Sequence, residues 1–292
     1  MALLNLNRSI ATLGATLLIV GLIGGLSGAL STSAAAATAA ASPGATYDPN
    51  YARYAALLGA VVRNGRVDYA GLIARRAELD QVGASFAVPD AAAVARLDRN
   101  ARLAYWINAY NVFVLQTVVA NYPLSRESLI GIAFPSNSIW QIPDAFKGAR
   151  FEAGGARRSL DEIEHKIIRP QFREPRIHMG LVCAALSCPP LRAEPFVGLR
   201  LDAQLDEQTR NFIADSRHGV RIDTERRQLS LSSIFKWFGE DFAPPGAGRA
   251  EREQGLREFV ARHLADAAAA QALLEGDWRV RYLDYDWTLN DL

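Results

Sequence analysis

The sequence contains few cysteines and no excess of charge of either sign. It has two cysteines, Cys183 and Cys188, among 292 residues, which excludes a small scaffold held together by many disulfides. The 32 Lys and Arg residues balance 31 Asp and Glu residues. Because a neutral surface does not attract the phosphates of nucleic acids, we expect no nucleic-acid partner. The ordinary share of hydrophobic residues, 50%, excludes extensive disorder.

Several motifs that carry well-defined chemistry are also missing. The sequence has no phosphate-binding glycine loop, no dinucleotide-binding fingerprint, no zinc-protease helix and no Gly-x-Ser-x-Gly segment. These absences argue against nucleotide-dependent enzymes and the common serine hydrolases. Paired ligands with zinc-like spacing are missing as well, so the sequence predicts neither a metal site nor a cofactor.

The only long uncharged apolar run lies near the N-terminus. Residues 10–30 carry no charge, follow a single Arg8, and precede a tract of Ala, Ser and Thr that offers Ala-x-Ala cleavage sites. This order is typical of an export signal, although a run of this length could also span a membrane. We therefore expect residues 1–41 to be a signal peptide or N-terminal anchor. The remaining chain is then periplasmic or otherwise extracytoplasmic, with membrane contact only through an uncleaved N-terminal segment.

Helical patterns dominate the first half of the remaining chain, and short strand patterns dominate the second half. The sequence predicts helices over residues 47–65, 72–86, 90–121, 160–169, 201–215 and 256–270, and strands over residues 66–69, 176–184, 221–222, 228–231 and 280–287. The centre of the third helix is apolar almost all round, which indicates burial on most sides. We expect an α+β fold in a single globular domain over residues 42–292, with a central buried helix and a small sheet of later strands.

Two local patterns bear on chemistry. Ser159-Leu-Asp-Glu162 is a capping box, which predicts a helix from Leu160 to about Arg169, before Pro170. If residues 176–184 form a strand, His178 and Cys183 lie on opposite faces of it, because they are an odd number of residues apart. Cys188 then follows in a bend that two prolines stiffen.

Five sequence blocks, taken together, resemble one protein family. They are Gly65-Arg-Val-Asp-Tyr69, Trp106-Ile-Asn-Ala-Tyr-Asn111, Ser159-Leu-Asp-Glu-Ile-Glu-His165, the run HMGLVCAALSCPPL from His178 to Leu191, and Tyr282-Leu-Asp-Tyr-Asp-Trp287. In this order they resemble the bacterial and plant family called domain of unknown function 547, with a family core at about residues 90–215. A buried helix followed by strands with His and an acid is also loosely similar to papain- and transglutaminase-like thiol enzymes, an analogy of fold alone.

The two cysteines admit three interpretations. In an oxidising compartment, Cys183 and Cys188 could form a disulfide across the strand end. Alternatively, Cys188 is a nucleophile whose proton His178 accepts, since a reactive thiolate needs a nearby base or positive charge. A metal site of His178 and both cysteines is disfavoured, because His178 and Cys183 are predicted on opposite faces.

The capped helix offers two further candidates, Glu164 and His165. Counted at 100° per residue, Glu164 falls inside the apolar stripe of the helix, so its carboxylate needs a buried partner. That partner is an Arg in the structural interpretation. In the functional interpretation, Glu164 is an orienting group or general base with a shifted pKa. His165 could be the base instead, or simply a half-exposed histidine.

Asn108 and Asn111 lie three residues apart on the buried helix and therefore share a face. Buried amides require hydrogen-bond partners. The two side chains either tie loops to the core through backbone groups, or line a pocket where they bind substrate and stabilise an oxyanion.

Two functions remain open from the sequence. The first is an exported thiol-dependent hydrolase or acyl transferase in which Cys188 attacks, His178 accepts the proton and the Asn pair holds the oxyanion. The second is a non-catalytic envelope module with a Cys183–Cys188 disulfide. The expected partner is a small molecule, a peptide or a component of the cell envelope.

Overall fold

The fold is α+β, as the sequence indicated. The computed structural model describes residues 45–125 and 133–292. The expected signal peptide or anchor, residues 1–41, lies outside these ranges. Within them, no helix is both long and apolar enough to cross a membrane.

The elements alternate between helices and short strands. The helices are α1 (Ala52–Val61), α2 (Tyr69–Ala74), α3 (Arg76–Ser85), α4 (Ala91–Arg96), α5 (Arg99–Val119), α6 (Leu160–Glu162), α7 (Arg169–Phe172), α8 (Ile177–Gly180), α9 (Leu201–Ala214), α10 (Ser233–Trp237), α11 (Arg249–His263) and α12 (Ala267–Leu274). The strands are β1 (Val62–Arg63), β2 (Arg66–Val67), β3 (Phe151–Ala153), β4 (Ala156–Arg158), β5 (Val220–Asp223), β6 (Gln228–Leu231) and β7 (Arg279–Tyr282). Short 3-10 turns occupy Ile139–Gln141, Gly198–Arg200 and Gly239–Phe242.

The strands form three small sheets. β1 pairs with β2 and β3 with β4 as antiparallel hairpins, while β6 lies between antiparallel β5 and parallel β7. The first hairpin corrects one prediction, because the first helix ends at Val61 rather than at Gly65. Asn64 and Gly65, with φ of 52° and 77°, turn the chain back into β2, as a two-residue hairpin turn requires.

The central helix is α5, and its predicted burial is confirmed. Asp98 caps its first turn by accepting a hydrogen bond from the Ala101 amide, and this cap separates α5 from α4. The side chains from Leu103 to Leu115 are all buried. A hydrophobic core surrounds α5, and a second core around Phe235 packs α9, α10 and α11 against the last sheet.

The capping box at Ser159 is confirmed, but the helix does not end at Arg169. Ser159 and Glu162 exchange the two expected hydrogen bonds, and the chain then widens into a π-helical turn over Ile163–Ile168. The helical path continues as α7 through Pro170. Pro170 is the second residue of α7, and proline is common in the first turn of a helix.

The predicted strand at residues 176–184 is wrong. The chain forms the short helix α8 and then bends, and it joins no sheet. The reason is that Asn111 of α5 takes up the backbone groups that a strand partner would bind. Its amide donates to the Gly180 carbonyl at 2.9 Å and accepts from the Val182 N–H at 3.0 Å. His178 and Cys183 therefore do not lie on opposite faces of a strand, because His178 is in α8 and Cys183 is in the bend that follows it.

The last predicted strand is also shorter than expected. β7 ends at Tyr282, and residues 283–292, which we call the C-terminal tail, run back across the first core. Single bridges pair Leu289 with Ala185 and Asp291 with Val67. The backbone of the C-terminal tail thus forms hydrogen bonds with loops in distant parts of the sequence, and not with a neighbouring strand. The alternating side chains that predicted a strand do not show where these bonds go.

Candidate active site around the cysteine loop

The two thiols lie side by side in a bent segment, residues 183–188, which we call the cysteine loop. The Cys183 N–H donates to Cys188 Sγ at 2.8 Å, and the two thiols also interact directly. Cys183 is half-buried and Cys188 is buried. Between them Ala184 has a φ of 61°, a left-handed conformation that alanine seldom adopts and that often accompanies functional loops. Both cysteines are free thiols here, so the disulfide stays a prediction.

The surroundings shift the pKa values of the two thiols in opposite directions. Burial raises the pKa of the Cys183 thiol, but hydrogen bonds from Cys188, Tyr285 and the Ala185 amide outweigh burial and leave that pKa below its usual value. Burial and the neighbouring Cys183 raise the pKa of Cys188 well above its usual value. Cys183 therefore has the greater thiolate character, whereas the sequence pointed to Cys188 as the nucleophile.

The C-terminal tail holds the cysteine loop in place. Backbone hydrogen bonds run from Leu186 to Thr288, from Ser187 to Asp286 and from Asn290 to Ala184. The tail also brings the Tyr285 hydroxyl to 3.2 Å from Cys183 Sγ. The centroid of the Tyr285 ring lies 4.4 Å from that of Trp287 and 4.8 Å from that of Trp237. Half-buried aromatic rings therefore lie next to the Cys183 thiol.

A buried acid lies in the same region. Glu164 is only 6% exposed, and its Oε2 accepts a hydrogen bond from the Tyr110 hydroxyl at 3.2 Å. Burial raises the pKa of Glu164 to about 7, although the Arg169 charge and the Tyr110 bond oppose that rise. The carboxyl is close enough to Cys183 to influence the ionisation of that thiol. The sequence predicted a partner for Glu164, and the structure supplies a tyrosine rather than a directly bonded arginine.

His178 belongs to a different network from the cysteines. Its Nε2 lies 2.7 Å from Asp241 Oδ2, and its ring stacks on Phe238 with centroids 4.2 Å apart. Arg169 binds the same carboxylate, with Nε at 2.6 Å from Oδ2. Burial raises the pKa of Asp241, but the hydrogen bonds from His178 and Arg169 outweigh burial and hold that pKa at about 2. Burial lowers the pKa of His178, which keeps the imidazole neutral at pH 7.

His165 faces the same network from the π-helical turn. Its Nδ1 lies 3.0 Å from Arg169 Nη1. Since a guanidinium only donates, Nδ1 accepts and the ring proton resides on Nε2. Burial and the Arg169 charge lower the pKa of His165 to about 4, so this imidazole is neutral at pH 7. The His165 side chain is 15% exposed, so it is more buried than the half-exposed histidine that the sequence also allowed.

Asn108 and Asn111 are both committed to backbone groups. Asn108 donates to the Phe196 carbonyl at 2.7 Å and accepts from the Phe196 N–H at 3.0 Å. Asn111 holds Gly180 and Val182 in the same way, and both side chains are buried. This is the loop-tethering interpretation of the pair. In each side chain, both the amide nitrogen and the amide oxygen are bonded to backbone groups and buried. The structure therefore gives no support to a contact between these amides and an oxyanion or a substrate.

The structure therefore brings together only part of the predicted site. Glu164 and the two cysteines share one region, whereas His178 and His165 belong to the Asp241 network. Within the described ranges, no imidazole nitrogen is hydrogen-bonded to either thiol. No group of three or more His, Cys, Asp or Glu residues in those ranges is arranged to hold a metal ion.

Sequence reasoning missed four residues of these networks. Tyr110 lies between the two asparagines in the apolar centre of the buried helix, and Tyr285 lies in the predicted last strand, so neither residue stands out in the sequence. Arg169 follows Glu164 by five residues, and a π-helical turn, in which residues five apart are neighbours, brings it close. Asp241 sits in a short turn 63 residues from His178 and carries no local signal.

Comparison with known proteins identifies the class of domain that contains this site. Residues 94–213, which hold α5, the capped helix and the cysteine loop, match the model of the family described as "Protein of unknown function, DUF547". This match supports the resemblance to that family, and three of the five sequence blocks lie within the matched residues. No curated protein and no solved structure matches the chain. The looser similarity to papain- and transglutaminase-like enzymes thus receives no support from these comparisons.

Proposed function

We propose that this protein is an extracytoplasmic hydrolase or acyl transferase whose nucleophile is the Cys183 thiol. The observation that carries the proposal is the difference between the two thiols. Cys183 is half-buried and receives hydrogen bonds that favour the thiolate, whereas Cys188 is buried and its pKa is raised. A thiolate with partial access to solvent is the form that attacks an acyl carbon.

In this reaction the Cys183 sulfur bonds to the acyl carbon of an ester, thioester or amide. The bond to the leaving group breaks, and that group departs with a proton. Water, or an acceptor alcohol or amine, then attacks the thioester and regenerates the thiol. Glu164 is the acid–base group of the proposal, because a pKa of about 7 lets it both hold and release a proton near neutral pH. Tyr110 keeps that carboxyl in place.

The roles differ from those that the sequence suggested. Cys183 replaces Cys188 as the nucleophile, and Glu164 replaces His178 as the acid–base group, because the His178 imidazole is bonded to Asp241. The proposed substrate is a small molecule, a peptide or an envelope component. The N-terminal sequence pattern supports the location outside the cytoplasm.

A matched pair of variants tests this proposal. Under reducing conditions, we expect iodoacetamide to label Cys183 before Cys188. In a separate assay without the label, Cys183→Ser should abolish the hydrolysis of p-nitrophenyl acetate. Cys188→Ser, the control, should retain both labelling and hydrolysis, and Glu164→Gln should retain labelling but lose most of the hydrolysis. Equal labelling of both cysteines, or hydrolysis that survives Cys183→Ser, would refute the assignment of the nucleophile.

The second candidate is a non-catalytic envelope module with a Cys183–Cys188 disulfide. The interaction between the two neighbouring thiols favours it, since an oxidising compartment would join them. Thiol titration of denatured, unreduced protein from its native envelope distinguishes the candidates. Two free thiols support the enzyme, whereas none would support the disulfide-bonded module.

A further inference from the structure

The proposed thiol reaction needs a group that stabilises negative charge on the substrate. When the Cys183 sulfur attacks an acyl carbon, the carbonyl oxygen becomes an oxyanion, which enzymes stabilise with fixed N–H or O–H donors. Asn108 and Asn111 cannot serve, because both amides are bonded to backbone groups. Two other donors contact the Cys183 sulfur, one from the C-terminal tail and one from the cysteine loop.

The first donor is the hydroxyl of Tyr285. Its oxygen lies 3.2 Å from Cys183 Sγ. Burial and the neighbouring thiols raise the pKa of Tyr285 well above its usual value, so the hydroxyl keeps its proton throughout the neutral range. A protonated hydroxyl beside an anion donates its hydrogen. Tyr285 is therefore a donor to whichever atom at this position carries the negative charge.

Packing and hydrogen bonds fix the Tyr285 side chain. Its ring packs against both hydrophobic cores. Two residues before it, the Leu283 carbonyl accepts a hydrogen bond from the Ser233 hydroxyl at 2.8 Å. One residue after it, the Asp286 N–H donates to the Ser187 hydroxyl at 2.9 Å. These contacts hold the tyrosine hydroxyl in place before a substrate arrives, and such preorganisation makes a donor effective toward charge that develops during a reaction.

The second donor is the backbone N–H of Ala185. It is hydrogen-bonded to the Cys183 thiol, and no backbone carbonyl among the described residues accepts from it. The preceding residue, Ala184, has the left-handed φ of 61°, and this turn of the chain directs the next N–H back toward the sulfur. Backbone N–H groups that such turns leave free bind anions in many proteins. The unusual conformation of Ala184 thus supplies a donor at the nucleophile.

We infer that the Tyr285 hydroxyl and the Ala185 N–H form the oxyanion site of this protein, an inference that rests on the proposed function. In the resting protein both donors bind the Cys183 sulfur. When an electron pair of the sulfur forms the bond to the acyl carbon, a pair of the carbonyl double bond moves to the oxygen. That oxygen is two bonds from the sulfur, so the same donors reach it. The pair then returns to the carbon–oxygen bond, and the leaving group departs with a proton.

Tyr285→Phe tests the inference, because it removes the hydroxyl and keeps the ring. We expect kcat for p-nitrophenyl acetate to fall about 100-fold with little change in KM, since the donor acts mainly on the transition state. Rates are compared on the pH-independent plateau of each profile, where the thiol is fully ionised in every variant. Tyr282→Phe, at an exposed side chain of β7, is the matched control and should keep the unmodified rate.

Iodoacetamide labelling of Cys183, followed by mass spectrometry, is a second readout, because alkylation forms no oxyanion. The midpoint of its pH profile should rise by about one pH unit in Tyr285→Phe, since the thiolate loses one donor, and stay unchanged in Tyr282→Phe. The other titratable groups that influence this thiol are the same in both variants: Tyr69, Tyr110, Glu164 and Cys188. Circular dichroism with thermal unfolding checks that both variants fold.

A plateau kcat of Tyr285→Phe equal to that of the control would overturn the inference, even with a raised labelling midpoint, because the hydroxyl would then act on the resting thiolate alone. An unchanged labelling midpoint would overturn it as well, since the hydroxyl would then not reach the sulfur. Failure of the proposed function gives a different result, namely hydrolysis that survives Cys183→Ser, and the inference would fall with it.

Discussion

Two glutamates of one capped helix show how far burial and hydrogen bonding control single residues. Glu162 accepts hydrogen bonds from the Ser159 N–H and the Lys166 ammonium, which lower its pKa to about 2. Glu164 lies only two residues further on, but it faces the core, and burial raises its pKa to about 7. The same residue type is thus always charged at one position and titrates near neutral pH at the other.

Replacement of Glu164 by Gln should change how stability depends on pH. In the folded protein Glu164 keeps its proton up to about pH 7, whereas the unfolded chain releases it near its ordinary pKa of 4.5. The stability that this group contributes is therefore full below pH 4.5 and is lost as pH rises through 7. The loss is about 3 kcal/mol in Glu164, and Glu164→Gln should not show it.

Urea unfolding of both proteins between pH 4.5 and 8 measures this effect. His165, with a folded pKa of about 4, contributes with the opposite sign in part of the same range, since its stability contribution grows as pH rises. The difference between the two proteins cancels that contribution. Parallel curves for the unmodified protein and the variant would show that Glu164 does not titrate in this range.

At the level of elements, the buried helix α5 organises the segments that carry the chemistry. Tyr110 of α5 holds Glu164, Asn108 holds the backbone of Phe196, and Asn111 holds the bend between α8 and the cysteine loop. Three polar side chains on one apolar helix thus position three segments. An apolar helix face supplies burial but no such directional contact.

Asn111→Ala should destabilise the protein by about 2–4 kcal/mol, because it leaves the Gly180 carbonyl and the Val182 N–H buried without partners. Denaturant unfolding measures the loss. Asn121→Ala is the control, since Asn121 makes a single bond to the Thr117 carbonyl at the half-buried end of the same helix. A cost below about 1 kcal/mol is expected there, and an equally small cost for Asn111 would contradict the tethering role.

At the level of the whole molecule, the C-terminal tail connects the ends of the described chain. Leu289 is buried in the first core and bridges to Ala185, and Asn290 accepts a hydrogen bond from the Tyr69 hydroxyl at 2.9 Å. The cysteine loop therefore depends on residues about 100 positions away. Disturbance of the tail should loosen that loop as well as the core.

Leu289→Ala should lower the free energy of unfolding by about 3 kcal/mol, through lost burial and the cavity that remains. It should also increase the rate at which iodoacetamide labels the buried Cys188, because the bridge to Ala185 weakens. Leu292→Ala, at a side chain that is 61% exposed, should change neither quantity. Destabilisation without faster Cys188 labelling would mean that the tail supports the core but not the loop.

Local patterns predicted several elements correctly. The Ser159 capping box, the burial of α5, helix α9 and strands β5 and β6 each follow from residues that are neighbours in sequence. The strand at residues 176–184 was wrong because the amide of Asn111, about 70 positions away, takes its backbone bonds. The end of the capped helix was wrong because a π-helical turn carries the chain through Pro170.

The amino-acid sequence by itself determined the α+β class, the central helix, the family blocks and the need of Glu164 for a buried partner, because periodicity, capping and the cost of burying charge act locally. The tertiary structure alone decided which groups meet. It paired His178 with Asp241, Tyr110 with Glu164 and Tyr285 with Cys183, contacts that span 54 to 102 residues. Such pairs form only when the chain packs, and it is packing that sets the burial on which each pKa depends.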